Sequence, residues 1–155
     1  MRINIYTDGA ARGNPGPGGY GIVLESGSHR KEMCHGFRHT TNNRMELLAV
    51  IEALKALKTN KAQVFIYSDS KYVVDTINKG WIFGWEKKAY KGKKNPDLWR
   101  KFIVLHRKFK PTYIWIKGHN NHPQNERCDA LAVHASMQKE LEADVFFEEQ
   151  ERKES

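Results

Sequence analysis

Across residues 44–58 the apolar side chains Leu47, Val50, Ile51, Leu54 and Leu57 recur at the three-and-four spacing of one helix face. Thr41, Asn42 and Asn43 stand just ahead of them and suit an N-cap. The flanking segments have a different period. Residues 2–7 alternate, with Ile3, Ile5 and Thr7 on one face and Asn4, Tyr6 and Asp8 on the other. Residues 20–25 and 31–38 read as two more strands after the turn-forming run 13–19, and the β-branched and aromatic run 63–67 reads as a buried fourth. A helix set between strands in this way demands a crossover connection.

Further along, Ser68, Asp69 and Ser70 cap a helix that runs to Asn78, and Gly80 interrupts it. Residues 81–95 are Trp- and Lys-rich and read as irregular. Pro96 suits a first helical turn, continued over 97–108. Residues 111–117 form a strand, 118–124 a loop and 125–141 a last helix. The order β-β-β-α-β-α-α-β-α mixes an antiparallel meander with crossovers. The predicted class is α/β (α+β mixed), with one mixed sheet and helices packed on it.

The 155 residues amount to one domain. With 39% hydrophobic and 28% charged residues the chain is an ordinary soluble globular protein rather than a disordered one. No apolar run approaches the ~18 residues of a membrane span, and no secretory signal is expected at the N-terminus. Cys34 and Cys128 are too few for a disulfide framework and are read as free thiols in a reducing cytoplasm. Charge is divided unevenly: residues 138–155 hold seven acids against three bases, leaving a net +12 on residues 1–137. A basic body attracts polyanions, nucleic acid foremost, although surplus lysine also serves solubility alone. Residues 142–155 are expected to be an acidic tail or a frayed helix.

Four acids occupy places that border apolar surface. Asp8 closes the first strand, Asp69 follows the fourth, Glu46 lies in the first turn of the first helix and Asp129 in the last helix. Gathered together they would repel one another unless a cation sat between them. Hard oxygen ligands suit Mg²⁺ or Mn²⁺, and several carboxylates without a protein nucleophile suit metal-activated water acting on a phosphodiester. Nothing in their spacing makes them converge.

The segments Tyr6-Thr7-Asp8-Gly9, Gly13 through Gly21, Thr40-Thr41-Asn42-Asn43-Arg44-Met45-Glu46-Leu47, Tyr67-Ser68-Asp69-Ser70, and Lys117-Gly118-His119 through Asn125-Glu126-Arg127-Cys128-Asp129 resemble those of bacterial ribonuclease HI, the type 1 RNase H family. The resemblance covers about residues 1–137 in unbroken order. It implies a five-stranded mixed sheet flanked by helices, with residues 1–141 as the catalytic domain. It implies endonucleolytic cleavage of the RNA strand of RNA–DNA hybrids, giving 5′-phosphate and 3′-hydroxyl ends. It carries the metal-binding carboxylates onto Asp8, Glu46, Asp69 and Asp129, around two Mg²⁺ ions for which Mn²⁺ can substitute. Asp8 is then the bridging ligand and Asp69 positions the attacking water. The family's mobile-loop histidine falls on His119, in the role of proton shuttle or product-release group, and the chain is expected to act as a monomer.

The same resemblance assigns the hybrid's minor groove to Asn14, Asn42, Asn43 and Glu46, and a DNA-strand phosphate to Thr41. For Asn14 a plain tight turn, and for Thr41, Asn42 and Asn43 simple capping, are the structural alternatives. Residues 81–94 resemble the basic handle that some family members hold against the DNA strand. Its candidate contacts are Trp81, Trp85, Lys87, Lys88, Lys91, Lys93 and Lys94, the alternative being a solvated charged face. Gly84 departs from the family pattern, in which an asparagine that supports a phosphate pocket often stands there. Two competing readings are a catalytically silent hybrid-binding module and a nuclease of the same architecture acting on duplex DNA.

Overall fold

The computed structural model describes residues 1–118 and 120–155. Five strands form one sheet: β1 (Arg2–Ala11), β2 (Gly16–Ser26), β3 (His29–Thr40), β4 (Gln63–Ser68) and β5 (Thr112–Trp115), in the order β3-β2-β1-β4-β5. β1–β2 and β2–β3 are antiparallel, while β1–β4 and β4–β5 are parallel, so the expected mixed sheet is present. β1 runs three residues beyond Asp8, which therefore lies inside the strand opposite Gly21 rather than closing it.

The main core lies under α1 (Asn42–Lys55) and α4 (Pro96–Phe109), where Ile5, Ile22 and Ile66 of the sheet meet Leu47, Ile51, Leu54, Trp99 and Phe102, all at most 1% exposed. Fully burying each such side chain stabilises by about 1.5–3 kcal/mol. Thr41 caps α1 by accepting the Arg44 N–H at 3.2 Å, and Ser70 caps α2 (Lys71–Asn78) through Val73 in the same way. The opposite face carries a smaller cluster of Tyr6, Val23, Cys128 and Leu131 beneath α5 (Pro123–Ser136). This helix packs with its backbone almost on the sheet. A Cβ at Gly21 would lie 2.2 Å from the Cys128 carbonyl oxygen, and one at Gly36 would lie 2.2 Å from that of Ala135. A shallow glycine trench therefore sets the depth at which α5 rides.

Three expectations need correction. Residues 81–87 are not irregular but form α3 (Trp81–Lys87), entered through Gly80 at φ 75°. α5 starts two residues early, at Pro123, and stops at Ser136 rather than reaching residue 141. The acidic end is folded against the body: residues 145–154 form α6 (Val145–Glu154). Just before α6 the chain runs beside the open edge of β3, where the Arg38 N–H donates to the Glu142 carbonyl at 2.9 Å. Asp144 then enters a buried knot, accepting from Thr40 Oγ1 at 2.7 Å and from Arg44 Nε and Nη2 at 2.7 and 2.9 Å. Arg44 also forks onto Asp97 at 2.9 and 2.8 Å. One guanidinium thereby ties α1, α4 and the segment leading into α6. Among the described residues no helix is long and apolar enough to cross a membrane.

Candidate active site

Asp8, Glu46 and Asp69 come together at one end of the parallel pair β1–β4. Each offers a carboxylate oxygen, and these oxygens lie within 4.8 Å of one another. Glycine makes the first approach possible. A Cβ at Gly9 would stand 2.4 Å from the Glu46 backbone nitrogen, so only glycine lets the first turn of α1 settle against β1. The Gly9 N–H also donates to Asp8 Oδ1 at 3.0 Å. Asp69 sits in the turn between β4 and α2. Its carbonyl accepts the Trp115 indole N–H at 3.1 Å, and the Ile116 N–H bonds the preceding Ser68 carbonyl at 3.0 Å.

The cluster is electrostatically uncomfortable as it stands. Burial, and then the Asp69 charge, push the Asp8 carboxyl up to about 8. Glu46 is raised well above the usual carboxylate range by burial and by its two acidic neighbours. Asp129, on α5, lies outside the group of three, yet its charge also raises Asp8, so the fourth acid borders the same site. One buried oxygen, Glu46 Oε1, has no hydrogen-bond partner. A buried acceptor without a donor is costly, and a divalent cation is the partner that satisfies it while removing the mutual repulsion. The residues present thus fit a hard cation. His119 lies outside the described residues.

The candidate nucleic-acid residues fall into two groups. Asn14 Oδ1 accepts the Asn42 N–H at 2.9 Å, and Asn42 Oδ1 accepts the Ala11 N–H, so both asparagines brace the β1–β2 turn against α1. Thr41 is the cap of α1, and Asn43 beside it is exposed. On the handle, Trp81 is 48% exposed with the Lys79 ammonium 5.3 Å from its ring, whereas Trp85 packs edge-on against the buried Trp99. Lys87, Lys88, Lys91, Lys93 and Lys94 are all exposed, Lys93 lying over the Trp85 ring. Nothing stands within 4 Å of where a Gly84 side chain would begin. Sequence reasoning missed Arg44 as the buried tie between three elements. Its signal was present, since Arg44, Leu47 and Ile51 share one helix face.

A family model described as RNase H matches residues 1–137. Proteins called Ribonuclease H are similar in sequence. That of Syntrophus aciditrophicus is 50% identical over 151 residues, covering 94% of this chain and 87% of that protein. That of Desulforamulus reducens is 51% identical over 148 residues, covering 92% of each. Among solved structures, LC9-RNase H1, a type 1 RNase H with the type 2 active-site motif, superposes with a TM-score of 0.78 at 31% identity, covering 87% of this chain and 72% of that one. LC11-RNase H1 in complex with RNA/DNA hybrid gives 0.68 at 28% identity, covering 86% and 95%.

Proposed function

Because the chain belongs to the ribonuclease H family, a family of nucleases that cleave RNA in RNA–DNA hybrids, we propose that it is a two-metal endonuclease leaving 5′-phosphate and 3′-hydroxyl ends. The observation that carries this reading is the group of three carboxylates within 4.8 Å, two of them buried, around an oxygen without a hydrogen-bond partner. Mg²⁺, with Mn²⁺ as substitute, supplies a water acidified toward neutral pH and charge relief on the departing 3′ oxygen. Asp8, Glu46, Asp69 and Asp129 hold the two ions. Asp8 and Glu46, sunk in the fold, fix the site. Asp69 is the most solvent-accessible of the close three and orients the attacking water. His119 moves a proton or loosens the product phosphate, a role suited to imidazole near neutral pH.

The 2′-hydroxyl distinguishes RNA from DNA. The Oδ1 atoms of Asn14 and Asn42 are taken by backbone N–H groups, which leaves their amide nitrogens as the donors to sugar and groove acceptors. Glu46, its carboxylate in the metal site, and exposed Asn43 lie one turn of α1 apart and border the same groove, with Thr41 toward a DNA-strand phosphate. Trp81, Trp85 and the handle lysines hold the DNA strand. The protein acts as a cytoplasmic monomer.

The test is digestion of matched RNA–DNA, RNA–RNA and DNA–DNA duplexes with Mg²⁺, in parallel with Asp69→Asn. Only the hybrid should be cut, and the variant should lose more than about tenfold in kcat, a barrier increase above roughly 1.4 kcal/mol. Cleavage of duplex DNA, or an Asp69→Asn enzyme of near-normal rate, would overturn this assignment.

A further inference from the structure

α6 stands beside the surface on which the proposed substrate would lie, and it carries the wrong charge for that place. A cleft of about 530 Å³ separates it from the body. One wall presents Thr41, Asn43, Lys93 and Lys94, and the other presents Glu151 and Glu154 of α6. Near the end of β3, two and three residues before Thr41, His39 and Arg38 are each held by a glutamate of α6. Arg38 forks onto Glu148 at 2.9 and 2.8 Å, and His39 Nε2 lies 2.6 Å from Glu151 Oε1. Two basic residues close in sequence to the proposed phosphate contact are therefore already engaged by carboxylates of the same chain.

The attachment of α6 is light. None of its residues is fully buried, and Phe146 and Phe147 lie half-buried against the Arg44 guanidinium and the His39 ring. Of its two ion pairs the basic partners face water, with the Arg38 side chain 61% exposed and that of His39 37%, against 14% for Glu148. Exposed pairs of this kind are weak and are screened by salt. Asp144, by contrast, is buried in the knot with Arg44 just ahead of α6. The ion pairs of α6 and the Asp144 knot are thus made by different residues, and release of α6 from β3 does not require the knot to open.

We propose that Arg38, His39 and the facing cleft wall form an interaction surface for a nucleic-acid backbone, and that α6 is an internal polyanion competing for it. The inference rests on the hybrid-binding reading above and concerns how strongly, and at what salt, the hybrid is held. His39, Glu148 and Glu151 line a second hollow on the β3 side of α6. A phosphodiester strand running from the cleft along the end of β3 displaces Glu148 from the Arg38 guanidinium and Glu151 from the His39 ring, and moves α6 from the wall. Each cation released to a phosphate adds to the counterion-linked part of binding.

The experiment compares the full-length protein with Glu148→Gln/Glu151→Gln and with Glu140→Gln/Glu149→Gln, which removes the same charge from residues outside both pairs. Binding of a labelled RNA–DNA hybrid is followed by anisotropy in EDTA from 50 to 200 mM NaCl, with the melting temperature of each variant recorded. The Glu148/Glu151 variant should bind more tightly, with a slope of log affinity against log salt steeper by about 0.7–0.9 units for the freed Arg38 guanidinium. Its advantage should therefore be roughly 2.6- to 3.5-fold larger at 50 mM than at 200 mM. Adding Arg38→Gln and His39→Gln should erase the gain. An equal gain in the control variant would reduce the effect to net charge and overturn the proposal, and so would an unchanged affinity and slope. If the glutamine variant melts early, Arg38→Gln/His39→Gln in the parent decides: a loss as large as in the glutamine background refutes competition, and a smaller loss supports it. Hybrid cleavage by the parent protein with Mg²⁺ is scored separately. Its absence would sink the enzymatic reading, whereas an unaltered salt slope with cleavage intact would sink only this one.

Discussion

Replacing Asp8 with asparagine should make the metal-free protein more stable, and the gain should depend on pH in a defined way. The Asp8 carboxyl is raised from 3.8 to about 8, with burial the largest cause and the Asp69 charge the next. A folded-state value above the unfolded one means that the native state holds a proton which the unfolded chain has released. Its stabilising contribution is complete below about pH 4 and is lost as pH rises to about 8. Four units correspond to a ceiling of about 5 kcal/mol. Part is offset because the site's other acids relax around the missing charge, and the buried amide needs its own hydrogen bonds. A net gain of about 2–3 kcal/mol at pH 8 is expected, which for a domain of this size raises Tm by roughly 5–10 °C. Thermal melts in EDTA at pH 4 and pH 8 provide the assay. The two proteins should nearly coincide at pH 4 and diverge at pH 8, and millimolar Mg²⁺ should narrow the gap by stabilising the parent alone. Equal increments at both pH values, or an asparagine variant that melts earlier at pH 8, would refute the electrostatic account.

Replacing Lys87, Lys88, Lys91, Lys93 and Lys94 with alanine should raise KM far more than it lowers kcat, and should flatten the salt dependence of hybrid binding by about two to four units. An unchanged slope in a salt titration would make the handle a solvated face. Arg44→Met should cost about 3–5 kcal/mol in a denaturant melt, because Asp97 and Asp144 lose a buried partner. Gly21→Ala should cost at least about 1–3 kcal/mol, since its methyl would meet the Cys128 carbonyl at 2.2 Å. An unaltered urea midpoint would show that α5 can lift without penalty.

The elements legible in the sequence were those whose own residues carry the signal. α1, which ends at Lys55 rather than 58, holds four of the five apolar residues read at helical spacing and a threonine cap, and the strands of the main sheet alternate or run apolar. α3 was not legible because seven residues around Gly84 are too few to display a period, and its left-handed entry at Gly80 resembles a break. The opening of β2 was hidden by Gly16, Pro17 and Gly18, which read as turn residues until β3 pairs with them. α6 reads as solvated because its cationic partners lie about a hundred residues away. For the site, residue types suggested a cation and the family resemblance selected four acids. The meeting of Asp8, Glu46 and Asp69 depends on strand order and on the contact at Gly9, both of which are long-range facts. The tie at Arg44 is of the same kind, since neither Asp97 nor Asp144 has any local feature that announces its partner.

That tie has a consequence for a chain made on a ribosome. Arg44 sits two residues before Glu46, and Asp144 follows it by 100 residues. At ordinary elongation rates the interval between their appearances is roughly 5–20 seconds. During that time the first turn of α1 carries a guanidinium whose final site is a dry one, with Asp97 arriving about halfway through and Asp144 last. A nascent chain therefore holds Glu46, one of the three clustered carboxylates, on a helix whose neutralising anions are still being translated. The first turn of α1 thus gains its last ion-pair partner only near the end of synthesis, even though α1 is among the first segments able to coil.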